Sequence, residues 1–314
     1  WDQPSGWLHK FRQDSARNLV EPVKQHIFAV TRRWMDPNGD GDPSDGVDGW
    51  RLDVPLDVGE PFWEEWREVV KEVNHEAVII AEIWHDADPW LRGDHFDTHM
   101  NYPFAEAITD WLAVEPGMTS AQLVERLGPA FDNGPQTNLI HQNLFASHDT
   151  DRYVSMLWNP GRGYDQGNRV QDGDLDYRAG RPPQAIFDLS RLGVAVQATY
   201  AGAPMVYYGD EVGMWGADDP TDRKPLPWPD MGPMVHPGER FDTDLLAHYR
   251  AWFGLRSDPR TAPVLRFGDL RHIDSNSDDV FAFVRSLNGV EVYVVVNRGE
   301  RAFDAGSLVP VVDD

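Results

Sequence analysis

The sequence predicts an incomplete parallel (β/α)8 barrel followed by part of a small antiparallel β domain. Three observations lead there. First, strand-like apolar runs alternate with amphipathic helical stretches at roughly thirty-residue spacing, the pattern of parallel βαβ units. Second, three such runs end at a carboxylate, in Gly49-Trp50-Arg51-Leu52-Asp53, Ala81-Glu82-Ile83-Trp84 and Ser147-His148-Asp149. Acids at the carboxyl ends of separate strands converge only if the strands run parallel and share one sheet. Third, Val280 to Ser286 and Val290 to Asn297 alternate with period two around Asn288-Gly289, a strong hairpin signal.

The elements follow in order. Val20, Val23, Ile27, Val30 and Trp34 recur at the spacing of one helical face, which predicts a helix over 19–35. An Asp-, Gly- and Pro-rich loop, 36–48, leads into a strand over 49–54. Pro61 suits the first turn of a helix whose stripe is Phe62, Trp66, Val69, Val70 and Val73. Strands are then predicted over 77–83, 96–100, 139–147 and 205–208, with helices over 104–113, 120–127, 183–200 and 245–256. That makes about five parallel strands where a closed barrel of TIM type needs eight. The expected division is 1–260 for a partial catalytic barrel and 261–314 for a partial C-terminal β domain.

Composition narrows the function. The formal charge of −24 argues against a nucleic-acid backbone or an anionic membrane as partner and is compatible with a neutral ligand such as a sugar. The acidity reads as solubility or as adaptation to high salt, which a salt series on activity separates. There is no cysteine, so disulfides and thiolate metal sites are excluded. No apolar run is long enough to span a bilayer. The chain opens at Trp1 without the pattern of a signal peptide, as if processed or internal to a longer chain. Compartment stays open, with a periplasmic or secreted bacterial setting preferred.

The segments Asp48 to Asp53, Ala81 to Trp84 and Ala146 to Asp149 resemble three motifs of the α-amylase family, glycoside hydrolase family 13, in the family's order. Gly202-Ala203-Pro204-Met205-Val206-Tyr207-Tyr208-Gly209-Asp210-Glu211 resembles its eighth-strand segment. Asp219-Pro220-Thr221-Asp222-Arg223-Lys224-Pro225 is similar to a loop of neopullulanases, cyclomaltodextrinases and maltogenic amylases. The family's first motif, an Asp and an Asn-His pair after the third strand, has no counterpart, nor has the domain inserted there. The resemblance therefore implies strands four to eight of the barrel.

It also implies a retaining double displacement. Asp53 is the expected nucleophile and Glu82 the acid and base, with carboxyl groups roughly 5–5.5 Å apart. Asp149 is expected to bind hydroxyls of the distorted sugar. Arg51, two residues before Asp53 on a strand, is expected to face the same side, keep Asp53 ionised and aim it. Trp84 is expected beside Glu82 as a desolvating wall, and His148 to donate to a sugar hydroxyl. By resemblance, Asp219 and Arg223 contact glucose units on the non-reducing side. Trp84, Tyr102, Trp158, Trp215 and Trp228 are candidate stacking platforms for sugar faces.

Asp36-Pro37-Asn38-Gly39-Asp40-Gly41-Asp42 matches the first half of an EF-hand-like calcium loop, with oxygens at alternate positions and Gly at the sixth. Val47 stands where the closing Glu would be, and Asp48 follows as a substitute. The expected ligands of a structural Ca2+ are Asp36, Asn38, Asp40, Asp42 and Asp48, with Asp42 using its carbonyl. The alternative is a flexible acidic turn.

The sequence thus points to a retaining α-glucan hydrolase acting on α-1,4 bonds of starch, maltodextrin or cyclodextrin. The alternatives are a transglycosylase using the same acids, or a non-catalytic fragment that binds sugar. Unpaired parallel strand edges need cover, so a homodimer or a second chain is an expected partner.

Overall fold

The computed structural model describes residues 11–113, 117–162, 176–230 and 238–309. The chain divides between Met100 and Asn101 into two compact units.

The first unit is built on a parallel sheet of β1 (Gly49–Leu52), β2 (Val78–Ala81) and β3 (Thr98–His99), in that order. α1 (Glu21–Met35) and α2 (Glu60–Val73) pack against each other. α2 connects β1 to β2 and buries Phe62, Trp63, Trp66, Val69 and Val70, so the predicted stripe is the core face. Burying indole rings leaves two N–H groups that need acceptors. Trp66 donates to Thr31 Oγ1 and Trp63 to the Pro55 carbonyl, each at 2.8 Å. Asp97 ties α2 to β2: Arg67 and Lys71 reach it at 2.8 Å, and the Ile79 amide donates to it at 2.9 Å. The β1–β2 register sets Leu52 opposite Ala81, which brings the residues that follow, Asp53 and Glu82, to the same end of the sheet.

The second unit holds the helices α3 (Tyr102–Leu112), α4 (Ser120–Leu127), α5 (Pro135–Ile140), α6 (Tyr153–Trp158), α7 (Gln184–Thr199), α8 (Thr243–Gly254) and α9 (Ala262–Phe267). Its parallel pair is β4 (Gln142–Asn143) with β5 (Ala203–Pro204). The antiparallel sheet is β6 (Asp269–Ile273), β7 (Val280–Leu287) and β8 (Val290–Asn297), in that order. Asn288 and Gly289 turn the hairpin at φ 52° and 80°, the left-handed values a two-residue turn requires. Phe281, Phe283, Val294 and Val296 join one core with Phe104, Trp111, Val196 and Tyr200, so sheet and helices bury each other's apolar faces.

Three expectations change. The apolar face predicted for α1 is turned: Val30 and Trp34 are exposed, and Lys24, Phe28, Thr31 and Met35 are buried. The strand expected over 139–147 shrinks to Gln142–Asn143, because Pro135 opens a helix that takes up Leu139 and Ile140. The strand expected over 205–208 moves to Ala203–Pro204. The ladder bonds come from the Ala203 and Met205 amides, which donate to the His141 and Asn143 carbonyls at 2.7 and 2.9 Å.

Candidate active site

In the first unit, Arg51 joins the two carboxylates at the sheet's carboxyl end. Its Nη2 lies 3.0 Å from Glu82 Oε1 and its Nη1 3.4 Å from Asp53 Oδ1. The second Glu82 oxygen accepts from the Val54 amide at 3.0 Å. The two acids differ in setting, since the Glu82 side chain is 4% exposed and that of Asp53 61%. Burying a carboxylate is costly unless donors satisfy it, and here a guanidinium and an amide do so. Val54 presents that amide from a left-handed conformation, φ 41°, which β-branched residues rarely adopt. Such strain persists where surrounding structure over-determines it, and it clusters at functional sites.

The expected link from Arg51 to Asp53 is therefore present, but the shorter contact is to Glu82. That contact crosses from one strand to its neighbour and depends on register, which local pattern does not reveal. Trp84 lies beyond β2, which ends at Ala81, so strand alternation does not set it on the side of Glu82; it is half-buried.

The second unit brings together His148, Asp149, Asp219 and Arg223. Asp149 Oδ2 lies 3.0 Å from His148 Nε2, and Asp149 Oδ1 lies 3.0 Å from Arg223 Nη2. Arg223 Nε donates to the His148 carbonyl at 2.7 Å, and Asp219 Oδ2 stands 3.9 Å from its Nη2. The turn carrying Asp149 is held by Ser147, whose Oγ accepts from the Asp149 amide and from the Tyr102 hydroxyl, each at 3.1 Å. All four side chains are partly exposed and open to polar ligands.

Of the aromatic candidates, Tyr102 is removed: it is 1% exposed, packed at the start of α3, and has no free face. Trp228 is half-exposed beside Phe241, and Trp215 lies under Lys224 Nζ at 3.6 Å.

The acidic loop is organised by its own side chains. Asp36 accepts from the amides of Gly39, Asp40 and Gly41, Asn38 from Asp40, and Asp40 from Asp42. Gly39 and Gly41 take φ 75° and 84°, which explains those glycines. The donors are all oxygen, as a hard cation requires. Among the described residues, no three His, Cys, Asp or Glu side chains gather closely enough to hold a metal.

Three buried groups, Asp210, Asp222 and His99, set a pH dependence. Burial pushes Asp210 up to about 7 against the opposing pull of Arg152, and burial pushes His99 down to about 4. Between pH 4 and 7 the folded chain holds a proton on Asp210 that the unfolded chain has lost. Stability therefore falls as pH rises through that window, by roughly 4 kcal/mol in total. His99 has the opposite sign: the unfolded chain takes a proton below its ordinary value, so stability falls by about 3 kcal/mol from pH 6.5 to 4. Burial also pushes Asp222 up to about 6, with the same sign as Asp210, so urea midpoints in the wild type are expected to fall as pH rises from 4 to 6. Asp210→Asn should leave a nearly flat curve over that range, and His99→Gln a steeper fall.

Residues 5–232 match the family model described as alpha amylase, catalytic domain. Neopullulanase 2 of Thermoactinomyces vulgaris is 35% identical over 285 residues, 89% of this chain and 40% of that protein. A cyclomaltodextrinase of Thermoanaerobacter pseudethanolicus is 32% identical over 282 residues, 89% of this chain and 41% of its own length. Among solved structures, the cyclic α-maltosyl-(1→6)-maltose hydrolase of Arthrobacter globiformis, in complex with that sugar, superposes with a TM-score of 0.70 at 31% identity. That match covers 89% of this chain and 53% of the other. The chain thus spans about two fifths of the length of these curated relatives.

Proposed function

The chain belongs to the α-amylase catalytic-domain family, whose solved members have the TIM-barrel fold, and on that premise we propose that it carries the machinery of a retaining α-glucan hydrolase. The substrates are α-1,4-linked: starch, maltodextrin or cyclodextrin. The observation that supports this most is the single guanidinium of Arg51 holding Asp53 and Glu82 at adjacent strand ends.

In this reading Asp53 attacks the anomeric carbon while the glycosidic C–O bond breaks and Glu82 delivers its proton to the departing oxygen. A glycosyl ester on Asp53 results. Glu82 then takes a proton from water, whose oxygen displaces Asp53 and regenerates both groups. The difference in exposure suits the roles: the open Asp53 can reach a sugar, and the enclosed Glu82 is shielded from bulk water. Arg51 must exchange its hold on Glu82 when substrate enters, because an acid that donates a proton cannot stay paired as a carboxylate. His148, Asp149, Asp219 and Arg223 bind sugar hydroxyls, and Trp84 supplies an apolar wall. Incubation of the purified chain with maltoheptaose, followed by product chromatography, tests this; no release of shorter maltodextrins would refute it.

The proposed division remains 1–260 for the barrel portion, strands four to eight, and 261–314 for the β portion. A structural Ca2+ that pins the loop preceding β1 would draw Asp36, Asn38, Asp40, Asp42 and Asp48 closer than they stand without it. Calcium at a hundred times its dissociation constant should stabilise the fold by about 2.7 kcal/mol. Titration calorimetry of chelator-treated protein and melting curves with and without calcium check this; no heat and no shift would remove the ion.

A further inference from the structure

We propose that Arg152 is a positioning residue, which holds the loop bearing Asp219 and Arg223 against the segment bearing His148 and Asp149. Its side chain is fully buried at the start of α6. Its Nε donates to the Asp222 carbonyl at 2.7 Å, and its Nη1 to the Tyr208 carbonyl at 2.6 Å and to Asp210 Oδ1 at 3.1 Å. The guanidinium lies over the rings of Tyr207 and Tyr208, at 4.5 and 4.7 Å from their centroids. Its own amide donates to the Gly216 carbonyl at 2.9 Å.

The Asp222 carbonyl carries the argument. It belongs to the peptide plane that leads into Arg223, so holding it fixes where Arg223 begins. Arg223 then reaches back to the His148 carbonyl and to Asp149. Two guanidiniums and the short stretch of chain from Asp149 to Arg152 close a ring around two segments about seventy residues apart. The Asp222 side chain adds to the inner wall, fully buried with the Tyr207 hydroxyl donating to it at 3.4 Å. Desolvating a guanidinium is costly, and here two carbonyls, Asp210 and two rings offset part of that cost, with Nη2 left without a hydrogen-bond partner among the described residues. Those acceptors stand around a planar fork. A lysine keeps the charge but concentrates its donors at one point and cannot serve them all. Asp149 and Arg223 touch a ligand in the reading given above; Arg152 acts through them, and its consequence for glucan binding rests on that reading.

Hydrogen exchange of the full, ligand-free chain tests the positioning role without substrate. In Arg152→Lys, the amides of the peptide 217–226 should exchange at least about 10-fold faster, while those of α7 stay within about twofold of wild type. Arg285→Lys is the control. That arginine is equally buried, donates to the Thr199 and Gly268 carbonyls, and should leave 217–226 unchanged. Unchanged exchange in 217–226 of Arg152→Lys overturns the proposal. So does equal acceleration in α7, which would make Arg152 a support of the whole unit. Calorimetry with maltoheptaose separates this from the functional reading, with binding about 10-fold weaker in Arg152→Lys than in wild type as the expected result. Equal binding by both proteins overturns any effect on ligand presentation. If wild type does not bind maltoheptaose while the exchange result holds, the glucan reading fails and the positioning role stands.

Discussion

Asp53→Asn is expected to lower maltoheptaose hydrolysis by on the order of 10³-fold or more, because it removes the atom that forms the covalent bond. Its far-ultraviolet circular dichroism and melting temperature should match those of wild type. The structural basis for this separation is exposure. Asp53 lies past the end of β1 with most of its side chain in solvent, and its one described ion pair is the 3.4 Å contact to Arg51. Exposed pairs of that kind contribute about 0–1 kcal/mol. Glu82 is a poorer first target. Its oxygens hold Arg51 and the Val54 amide in a buried place, so Glu82→Gln alters packing as well as chemistry. Initial rates on maltoheptaose with matched melting curves make the comparison. Wild-type rates in Asp53→Asn would remove it as nucleophile.

Gly49→Ala should cost roughly 3 kcal/mol or more, the upper end of overpacking penalties. A Cβ there would lie 2.3 Å from the Val78 carbonyl oxygen and 3.0 Å from the Val78 nitrogen. Both are backbone atoms of the paired strand and cannot step aside as a flexible side chain would. Relief requires β1 and β2 to separate where the ladder begins, with Gly49 opposite Val78. The same ladder places Leu52 opposite Ala81 and allows Arg51 to span the two acids, so activity should fall with stability. Gly254→Ala is the contrast: nothing lies within 4 Å of its added Cβ, at the end of α8. Chemical denaturation of both variants measures the difference. A Gly49→Ala midpoint equal to wild type would show that the strands tolerate the methyl group.

How far the sequence carried can be judged from particular residues. The α2 stripe and the Asn288-Gly289 hairpin were readable because each rests on a local rule: helical period and turn geometry. α4 was predicted over 120–127 and spans Ser120–Leu127, with Thr119 and Gln122 closing its start as a capping box. The runs over 139–147 and 205–208 were misjudged because apolar β-branched composition marks burial, and whether a ladder forms depends on the partner. One ladder extends only to the Met205 amide, and the helix that opens at Pro135 runs into the start of the other run. In the site, positions were legible and pairings were not. Arg51 was read as the neighbour of Asp53, but its closer partner is Glu82, supplied by register. Arg152 carried one weak signal, an arginine three residues past Asp149 and directly ahead of the apolar run of α6. Its partners lie more than fifty residues away, where no local pattern points.

The central claim is that Asp53 becomes covalently bound to sugar while Glu82 moves the protons. A fluoride leaving group needs no acid to depart, so Glu82→Gln incubated with α-maltosyl fluoride should form the ester and lack the base to release it. Intact-mass and peptide mass spectrometry of that mixture is the most direct measurement. The predicted result is a maltosyl adduct on the peptide containing Asp53, absent in the Asp53→Asn, Glu82→Gln double variant. An adduct on another residue, or one that survives in the double variant, would contradict it.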